Sequence, residues 1–508
     1  MTARGPNILI VMADQMAPAF LPIYGHRTTR APNMEALAKG AVVFDSAYCA
    51  SPLCSPSRAS FMTGLLPSRT HVYDNAAEFS ADIPTFAHHL RLRGYRTILS
   101  GKMHFCGPDQ LHGFEERLTT DIYPADYGWT PDWDRPEDRP SWYHNMSSVV
   151  QAGVCVRTNQ LDFDDEVAFE SERALFDIAR SSDKRPVLLV ASFTHPHDPF
   201  AVPQRYWDLY RAEDIKPASR TPNADDPHSL RLRHVCAMDA ELVTEEQVRN
   251  ARRAYLGAIS YIDDQLGRLM TALSATGLIE DTIVILTSDH GEMLGERGLW
   301  YKMSFFEGAC RVPLVVASPG RFPPRRARAA VSLLDVLPTL IDLAGGDAAA
   351  LGDSIDGASL GPHLAGGAGH DEATGEYLAE GAIAPIVMIR RGAHKFIHSP
   401  PDPDQLYDVE RDPGERENLA GAAKHAGDVA SFRNEVAGRW DLAKLDAEVR
   451  ISQRRRRLVA EALARGDVRA WDFQPFRDAS KRYVRNTIDL GDLEAMARFP
   501  RVGNDREH

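Results

Sequence analysis

Short apolar runs recur along the first two thirds of the chain, and segments with helical patterning separate them. Strands of this kind, apolar on both faces and alternating with helices, are typical of a mainly parallel sheet covered on both sides. The pattern therefore predicts an α/β fold with a mainly parallel central sheet flanked by helices. The runs are Ile8 to Met12, Thr97 to Leu99, Val187 to Ser192, Thr282 to Thr287 and Val312 to Ala317.

Polar residues follow three of these runs directly. Asp14 follows the first run, His195 to Asp198 follow the third, and Asp289 to Glu292 follow the fourth. Ligand sites of open α/β sheets lie beyond the carboxyl ends of the strands. We therefore expect these distant positions to meet at one edge of the sheet.

The pattern changes near residues 365–369, which are rich in glycine and alanine and indicate a boundary or a loop. Two strand patterns follow, at Glu376 to Met388 and Gly392 to His398, and from about Asp428 the pattern is helical and then irregular. We interpret these changes as three units: a large α/β domain at 1–370, a smaller α+β unit at 371–440 and a C-terminal extension at 441–508.

The charge balance argues against a polyanionic partner. The 508 residues include 71 acidic and 58 basic side chains, a formal net charge of -13, which would repel nucleic acid. The four consecutive arginines Arg454 to Arg457 lie in a polar helical stretch between Glu448 and Glu461. This context predicts a solvated helix face rather than a phosphate-binding patch.

The chain begins without a basic leader followed by a long hydrophobic region, and no apolar stretch approaches the length that crosses a bilayer. Six cysteines are spread along the chain without a paired metal-site spacing, as expected of reduced thiols. These features predict a cytoplasmic protein that has no membrane partner.

The strongest local pattern is Cys54-Ser-Pro-Ser-Arg58, which continues as Ala-Ser-Phe-Met-Thr-Gly64. Pro56 favours the first turn of a helix, and Ser57 to Leu66 can continue it. Cys54 would then lie at the N-terminal end, where backbone N–H groups favour an anion. Taken alone, such a cysteine is more simply interpreted as a small buried residue. However, Cys-x-Pro-x-Arg followed by Ala-Ser-x-x-Thr-Gly resembles the signature of the sulfatases, whose cysteine is oxidised to formylglycine.

The resemblance to the sulfatases extends along nearly all of the chain and implies an alkaline phosphatase-like fold that hydrolyses sulfate monoesters. These anions resist ordinary nucleophiles, so the site must neutralise their oxygens and supply an activated oxygen. By resemblance, one hydroxyl of the formylglycine hydrate attacks sulfur, and the other, once deprotonated, releases sulfate. A formylglycine-generating enzyme is therefore an expected partner. The further matches are Pro6 to Ile8, Gly101 to His104, Asp289 to Gly291 and Leu406 to Ala420.

The resemblance also implies one divalent metal ion, bound by Asp14, Asp289 and His290 together with an oxygen of the modified Cys54. Carboxylates favour calcium, whereas an imidazole ligand keeps manganese open. Many sulfatases carry two adjacent acids near the first strand, but Ala13 and Gln15 flank Asp14 in this chain. This departure leaves the number of ligands open.

The same resemblance assigns roles to five catalytic candidates. Arg58 would orient the hydrate from one helical turn along. Lys102 would clamp the anion, and His104 would act as the base of the second step. His197 and Lys302 would contact the sulfate and the leaving oxygen, and one of them would donate the departing proton. For His195, which precedes a proline, a structural role is the simpler interpretation.

Several stretches resemble the choline sulfatases in particular: Tyr73 to Glu78, Gly107 to Arg117, Asp121 to Pro131, Tyr483 to Asn486 and Arg498 to Arg501. The resemblance implies choline O-sulfate as substrate, a cytoplasmic location and a homotetramer or homodimer. A quaternary ammonium group donates no hydrogen bonds, so its recognition needs aromatic faces and negative charge.

Candidate substrate residues follow from that chemistry. Asn75 resembles an amide that holds a non-bridging sulfate oxygen. Trp129, with Tyr123 and Tyr127 nearby, would supply the aromatic wall, and Glu380 would supply the negative charge. Asp489 and Asp492 in the C-terminal extension are weaker candidates for contact with the cation.

Two alternatives remain at this point. A phosphonate monoester or phosphodiester hydrolase, or a broad arylsulfatase, would use the same nucleophile and metal with a different leaving-group pocket. An inactive choline-binding or scaffolding protein on this fold is the alternative from a different class. The intact Cys54 motif and the matching metal and lysine positions argue against it.

Overall fold

A computed structural model describes residues 5–219, 226–351, 355–467, 470–476 and 489–500. Its largest feature is an eight-stranded sheet. The strands of this sheet are β1 (Asn7–Asp14), β2 (Ala41–Tyr48), β3 (Arg96–Gly101), β4 (Glu116–Arg117), β6 (Val187–Pro196), β8 (Thr282–Thr287), β9 (Arg311–Ala317) and β10 (Arg325–Ser332). Their order across the sheet is β10-β2-β9-β8-β1-β6-β3-β4. A further pair, β5 (Gly153–Cys155) and β7 (Ala201–Pro203), forms a small parallel ribbon.

The prediction of a mainly parallel central sheet is confirmed. β9 runs antiparallel to both of its neighbours, β2 and β8, and the other neighbouring pairs are parallel. β1 at the centre is buried along its whole length, with Ile10 paired to Val190 on one side and Ile285 on the other. The edge strand β10 is half exposed over its first five residues, so it carries no continuous apolar run and the hydrophobic pattern did not predict it.

Helices cover the sheet and connect its strands. α6 is amphipathic and packs on β6, and α9 packs on α6 and β6. α9 begins after a capping box in which Thr244 and Gln247 each accept the other's backbone N–H. The helices up to residue 365 are α1 (Pro32–Lys39), α2 (Cys54–Thr63), α3 (Pro67–Thr70), α4 (Phe86–Leu92), α5 (Ser147–Val150), α6 (Asn159–Arg180), α7 (Gln204–Trp207), α8 (Pro227–Val235), α9 (Glu245–Ala275), α10 (Glu307–Cys310), α11 (Val336–Leu343) and α12 (Gly361–Ala365).

A smaller antiparallel sheet follows, formed by β11 (Glu372–Tyr377), β12 (Ile386–Arg391), β13 (His394–His398) and β14 (Gln405–Asp408). The prediction of a single strand from Glu376 to Met388 was wrong: β11 and β12 pair antiparallel, and the loop between them carries Glu380. The buried ammonium of Lys395 ties this sheet to α10, which directly precedes β9, because it lies 3.0 Å from a carboxylate oxygen of Glu307 and 2.5 Å from one of Glu415.

Three helices follow the smaller sheet: α13 (Ala426–Arg439), α14 (Leu442–Leu463) and α15 (Leu490–Ala497). The prediction that Arg454 to Arg457 form a solvated face was wrong for Arg456, which is buried and paired with the buried Asp74, whereas Arg454 is largely exposed. Asp489 caps α15 by accepting the backbone N–H groups of Gly491 and Asp492. The stretch Tyr483 to Asn486 and residue Arg501 lie outside the described residues. Among the described helices, none has the length and apolar character needed to cross a bilayer.

Candidate active site

The candidate nucleophile lies at the first residue of α2. This helix begins at Cys54, as the proline in its first turn led us to expect, and no side chain caps its N-terminus. The Sγ atom of Cys54 is 3.2 Å from Nε2 of His290, and the backbone N–H of Ser55 donates to Oδ1 of Asn75 at 3.0 Å. The helix N-terminus thus places Cys54 where an anion is favoured.

Arg58 lies one helical turn beyond Cys54 and is completely buried. Its Nε is 2.8 Å from Oδ2 of Asp289, and its Nη2 is 2.9 Å from Oδ2 of Asp14. Burial by itself would lower the pKa of the guanidinium, but the two carboxylates outweigh this effect and raise it. Nη1 also donates to Oγ of Ser192 at 2.9 Å. Arg58 therefore ties α2 to the ends of β1, β6 and β8.

Four buried side chains form a candidate metal centre: Asp14, Cys54, Asp289 and His290. One possible ligand atom from each lies within 4.8 Å of the others. His290 Nδ1 donates to the carbonyl of Gly291 at 3.0 Å, which leaves the Nε2 lone pair directed at the cluster. Oδ1 of Asp14 is buried and accepts no hydrogen bond from a described residue. This unpartnered oxygen and the carboxylate-rich donor set fit a hard divalent cation.

Lysine charge stabilises the centre. Nζ of Lys102 lies 2.6 Å from Oδ2 of Asp14 and 3.8 Å from Sγ of Cys54. Burial would raise the pKa of Asp14, but the charges of Lys102 and Arg58 outweigh it and hold that pKa well below its usual range. Asp14 is therefore ionised and available as a ligand at neutral pH.

His104 lies close to Lys102 in the left-handed region of backbone conformation, with φ of 58°. Its backbone N–H donates to Oδ2 of Asp121 at 2.9 Å, which holds the strained turn in place. Both ring nitrogens are buried and have no hydrogen-bond partner among the described residues. Since buried polar atoms are normally paired, both ring nitrogens are available for contact with a bound ligand.

His197 and Lys302 form a second group of basic side chains. Nζ of Lys302 is 2.9 Å from Nε2 of His197 and 2.7 Å from Oε1 of Gln15. Nδ1 of His197 donates to the carbonyl of Asp198 at 2.7 Å, so Nε2 accepts from Lys302. Burial, together with the charge of Lys302, lowers the pKa of His197 well below its usual value. The imidazole is therefore neutral at physiological pH.

The sequence did not predict the environment of Gln15, and it favoured a structural role for His195. Gln15, which occupies a position where many sulfatases have an acid, has φ of 65° and links Lys302 to Asp289 through its side chain and its backbone N–H. His195, by contrast, bonds to Asp164 at 2.7 Å and is not part of the cavity lining.

A cavity of about 200 Å³ opens above Cys54. It contains all three predicted substrate residues, Asn75, Trp129 and Glu380. The ring centroid of Trp129 lies 5.8 Å from that of His104 and 6.4 Å from that of Tyr123. The lining consists of Cys54, Asn75, Lys102, His104, Tyr123, Trp129, Trp142, Tyr143, His144, His197, Lys302 and Glu380. Tyr127 lies outside it, where its hydroxyl donates to Glu78.

Glu380 lies in the cavity without a cationic partner among the described residues, although its residue is only 6% exposed. Burial, with a smaller contribution from Asp74, raises its pKa to about 7. A buried carboxylate without a counter-ion is costly, so the site favours a ligand that brings a positive charge.

Sequence reasoning missed the segment that carries Trp142, Tyr143 and His144. Its residues lie mostly in turns and irregular backbone, so the segment has no hydrophobic periodicity that would have predicted it. The only available signal was the unusual succession of three aromatic side chains. Nε2 of His144 lies 3.3 Å from Nζ of Lys302, and burial lowers the pKa of His144 to about 3.

Comparison with known proteins agrees with this geometry. The family model described as Sulfatase matches residues 6–346, and the model described as Choline sulfatase enzyme C terminal matches residues 447–499. A third model, N-sulphoglucosamine sulphohydrolase, C-terminal, matches residues 295–439. The first of these covers well over half of the chain.

Individual relatives support the same family. Choline-sulfatase of Rhizobium meliloti (strain 1021) is 50% identical, in an alignment that covers 99% of this chain and 100% of that protein. Iduronate 2-sulfatase of Homo sapiens is 30% identical over 68% of this chain and 70% of its own length. The crystal structure of phosphonate monoester hydrolase of Agrobacterium radiobacter superimposes with a TM-score of 0.67 at 26% identity, over 87% of this chain and 96% of the other. With its alkaline phosphatase-like α/β fold and full-length homology to a choline-sulfatase, the chain belongs to the sulfatase family of sulfuric ester hydrolases.

Proposed function

We propose that this enzyme hydrolyses choline O-sulfate to choline and sulfate. The observation that carries the proposal is the position of Glu380, a buried carboxylate without a cationic partner that lines the same small cavity as Cys54, Lys102 and Lys302. We therefore assign the cavity a basic end, at Lys102 and Lys302, and an acidic end, at Glu380. A zwitterionic ester with its sulfate and its cation a few bonds apart matches both ends.

The sulfate end of the cavity is supported by its basic groups. Lys102 and Lys302 both line it, and Asn75 lies beside the N-terminus of α2. Fixed positive charges and N–H donors of this kind stabilise an anion and the further charge that develops in the transition state. We assign the sulfate group of the substrate to this end, over Cys54.

The cation end is supported by aromatic faces. Trp129, Tyr123 and Tyr143 line the cavity together with Glu380. A trimethylammonium group is recognised by such faces through cation–π attraction, and a carboxylate adds Coulomb attraction without needing a hydrogen bond. The volume of about 200 Å³ is smaller than the roughly 300–1,000 Å³ typical of pockets for drug-sized ligands, which favours a small ester.

The chemistry depends on two groups that the chain must acquire. Oxidation of Cys54 by a formylglycine-generating enzyme would supply a hydrated aldehyde whose hydroxyl attacks sulfur, as the family generally does. A divalent ion held by Asp14, Asp289 and His290 would help to neutralise the sulfate oxygens. We propose calcium, because two of these ligands are carboxylates, and manganese is the alternative.

The side chains of the chain itself account for the proton transfers. The pair formed by His197 and Lys302 lies at one side of the cavity, and we propose that the Lys302 ammonium gives its proton to the leaving choline oxygen, since His197 is held neutral. His104 also lines the cavity, and its ring nitrogens, which have no hydrogen-bond partner among the described residues, can accept the proton of the second hydroxyl when sulfate is released. Arg58 keeps the carboxylates in place throughout.

We further propose that the enzyme works in the cytoplasm as a homodimer or homotetramer without nucleic acid or membrane partners. The formal net charge of -13 supports the exclusion of nucleic acid. The six cysteines, all in described residues, are unpaired, which fits a reducing compartment. Fractionation of the cells and light scattering of the purified enzyme test these assignments.

The test of function is a comparison of substrates and of one variant. Steady-state kinetics on choline O-sulfate, 4-nitrophenyl sulfate and phenyl phosphonate should give the highest kcat/KM for the choline ester. Trp129→Ala should lower kcat/KM for choline O-sulfate by an amount that corresponds to a loss of about 1 to 2 kcal/mol of transition-state stabilisation. Its effect on kcat/KM for 4-nitrophenyl sulfate should be smaller. Tyr127→Phe is the matched control, because Tyr127 lies close in sequence but outside the cavity. A wild type that prefers phenyl phosphonate would favour the phosphonate monoester hydrolase alternative, to which the match with the Agrobacterium radiobacter structure points.

A further inference from the structure

One face of α14 contacts all three loops that carry the candidate substrate residues. Arg450, Gln453 and Arg456 are spaced three residues apart and therefore lie on the same side of the helix. Gln453 and Arg456 are buried, with residue exposures of 2% and 7%. We call these three residues the α14 brace.

Arg456 joins the loop of Asn75 to the loop of Trp129. Its Nη1 and Nη2 each lie 2.7 Å from an oxygen of Asp74, a bidentate pair in which Asp74 is fully buried. Nη1 also donates to Oγ1 of Thr130 at 3.1 Å. Asp74 and Thr130 directly adjoin the cavity residues Asn75 and Trp129, so a single guanidinium sets the distance between the two loops.

Gln453 and Arg450 extend the brace to the loop of Glu380. The backbone N–H of Trp133 donates to Oε1 of Gln453 at 2.9 Å, and Nη1 of Arg450 donates to the carbonyl of Trp133 at 2.9 Å. Nη2 of Arg450 donates to the carbonyl of Ile383 at 2.7 Å, and the indole N–H of Trp133 donates to the carbonyl of Ala379 at 2.9 Å. Ala379 directly precedes Glu380 in the chain.

We propose that the α14 brace sets the spacing of the cavity walls and thereby the selectivity for the cationic ester, with Arg456 as its principal positioning residue. The inference rests on the proposed function for the identity of the substrate. None of the three side chains lines the cavity, so they act through Asn75, Trp129 and Glu380. Recognition of two opposite charges a few bonds apart is more selective when the walls are fixed before the substrate enters.

The test compares Arg456→Gln and Arg456→Lys with Arg454→Gln. Arg454 is the matched control, because it lies on the same helix and pairs with a loop carboxylate, Asp134, but is 61% exposed. Arg456→Gln should raise KM for choline O-sulfate by about tenfold and KM for 4-nitrophenyl sulfate by about threefold or less, because both esters contact Asn75 but only the choline ester also contacts Trp129 and Glu380. Arg456→Lys should recover part of the loss, and Arg454→Gln should match wild type.

A second variant covers the case in which Arg456→Gln does not fold, since it leaves Asp74 buried without its partner. The double variant Arg456→Gln with Asp74→Asn removes both charges and should show the same rise in KM for the choline ester. An equal rise in KM for both esters, together with a lower Tm, would show that Arg456 only stabilises the fold. An unchanged KM in a folded variant would also overturn the proposal.

Hydrogen exchange separates this proposal from the function on which it rests. If wild type does not cleave choline O-sulfate, the proposed function fails, and the brace is then tested by exchange at residues 74–78 and 127–133. These two segments should exchange faster in the Arg456 variants than in Arg454→Gln. Identical exchange would show that Arg456 does not hold the cavity walls.

Discussion

At the scale of single residues, the candidate site separates two groups of opposite charge. Arg58 and Lys102 surround Cys54 and the carboxylates of Asp14 and Asp289, so this part of the site has its charges paired before any ligand arrives. Glu380 lies in the same cavity without a cationic partner among the described residues. Substitutions in the two groups are therefore expected to have different consequences.

Replacing Cys54 should abolish turnover while leaving the fold intact. Cys54→Ala removes the precursor of the proposed nucleophile, yet it deletes only one buried sulfur atom, which costs about 1 kcal/mol of unfolding free energy. Mass spectrometry of the tryptic peptide shows whether Cys54 is oxidised in wild type. Kinetics on both sulfate esters measure turnover, and thermal unfolding measures stability. Substantial residual hydrolysis by Cys54→Ala would exclude Cys54 as the source of the nucleophile.

Glu380 should make binding of the choline ester depend on pH. Because burial raises its pKa to about 7, the carboxyl group is increasingly protonated below that pH and loses its attraction for a cation. KM for choline O-sulfate should therefore fall as the pH rises through about 7. Glu380→Gln should raise KM roughly tenfold, equivalent to about 1.4 kcal/mol, and remove this pH dependence. The KM for 4-nitrophenyl sulfate serves as control, and a parallel change in that value would argue against a cation subsite.

At the scale of elements, the site residues lie at the carboxyl ends of the strands. The end of β3 shows how closely the neighbouring backbones pack there. Gly101 has φ of 108°, and a Cβ atom there would lie 1.9 Å from the carbonyl oxygen of Ser192 on β6. The same carbonyl accepts the backbone N–H of Lys102 at 3.0 Å. The close approach of β3 and β6 thus determines the position of the Lys102 backbone.

Gly101→Ala should lower both stability and activity. The clash is with backbone, which cannot rotate away, so we expect a loss of about 3 kcal/mol or more in the free energy of unfolding. Gly94→Ala is the control, because Gly94 also has a positive φ, 81°, but open space around it; it should lose only about 1 kcal/mol. Denaturant unfolding measures both losses, and equal values would show that the contact with Ser192 is not the cause.

At the scale of the whole molecule, residues from every part of the chain meet at one edge of the large sheet. Asp14 ends β1, Lys102 follows β3, and Asp289 follows β8. The helix α14 contacts loops more than 300 residues earlier in the chain, for example through the pair of Arg456 with Asp74. The candidate metal centre lies where these segments converge. Binding of a cation there should therefore stabilise the fold as well as the site.

Removal of divalent ions should lower Tm and abolish activity together. A ligand that binds only the folded state at 100 times its Kd adds about 2.7 kcal/mol to the free energy of unfolding. Thermal unfolding after treatment with a chelator, followed by addition of calcium or manganese, measures the effect and ranks the two ions. Asp14→Ala should no longer respond to either ion. A wild type whose Tm is the same with and without the chelator would contradict the metal centre.

Much of this protein could be read from the chain alone, because the relevant signals are local. Buried strands such as β1 and β8 show themselves as continuous apolar runs, and a proline in the first turn indicates a helix that begins near Cys54. The motif around Cys54 identified the family, which the comparisons confirm. The roles of the individual site residues and the division into three units at 370 and 440 stay predictions.

Only the tertiary structure decided how the cavity above Cys54 is built. Sequence patterns merged β11 and β12 into one strand, placed Arg456 on a solvated face, and did not predict Trp142 to His144 as part of the cavity. The physical reason is that these features depend on contacts between distant segments: Arg456 is buried only because Asp74, 382 positions earlier, supplies its counter-charge. Hydrophobic periodicity records which side of an element is apolar, whereas the partner of a buried charge is chosen by the packing of the whole chain.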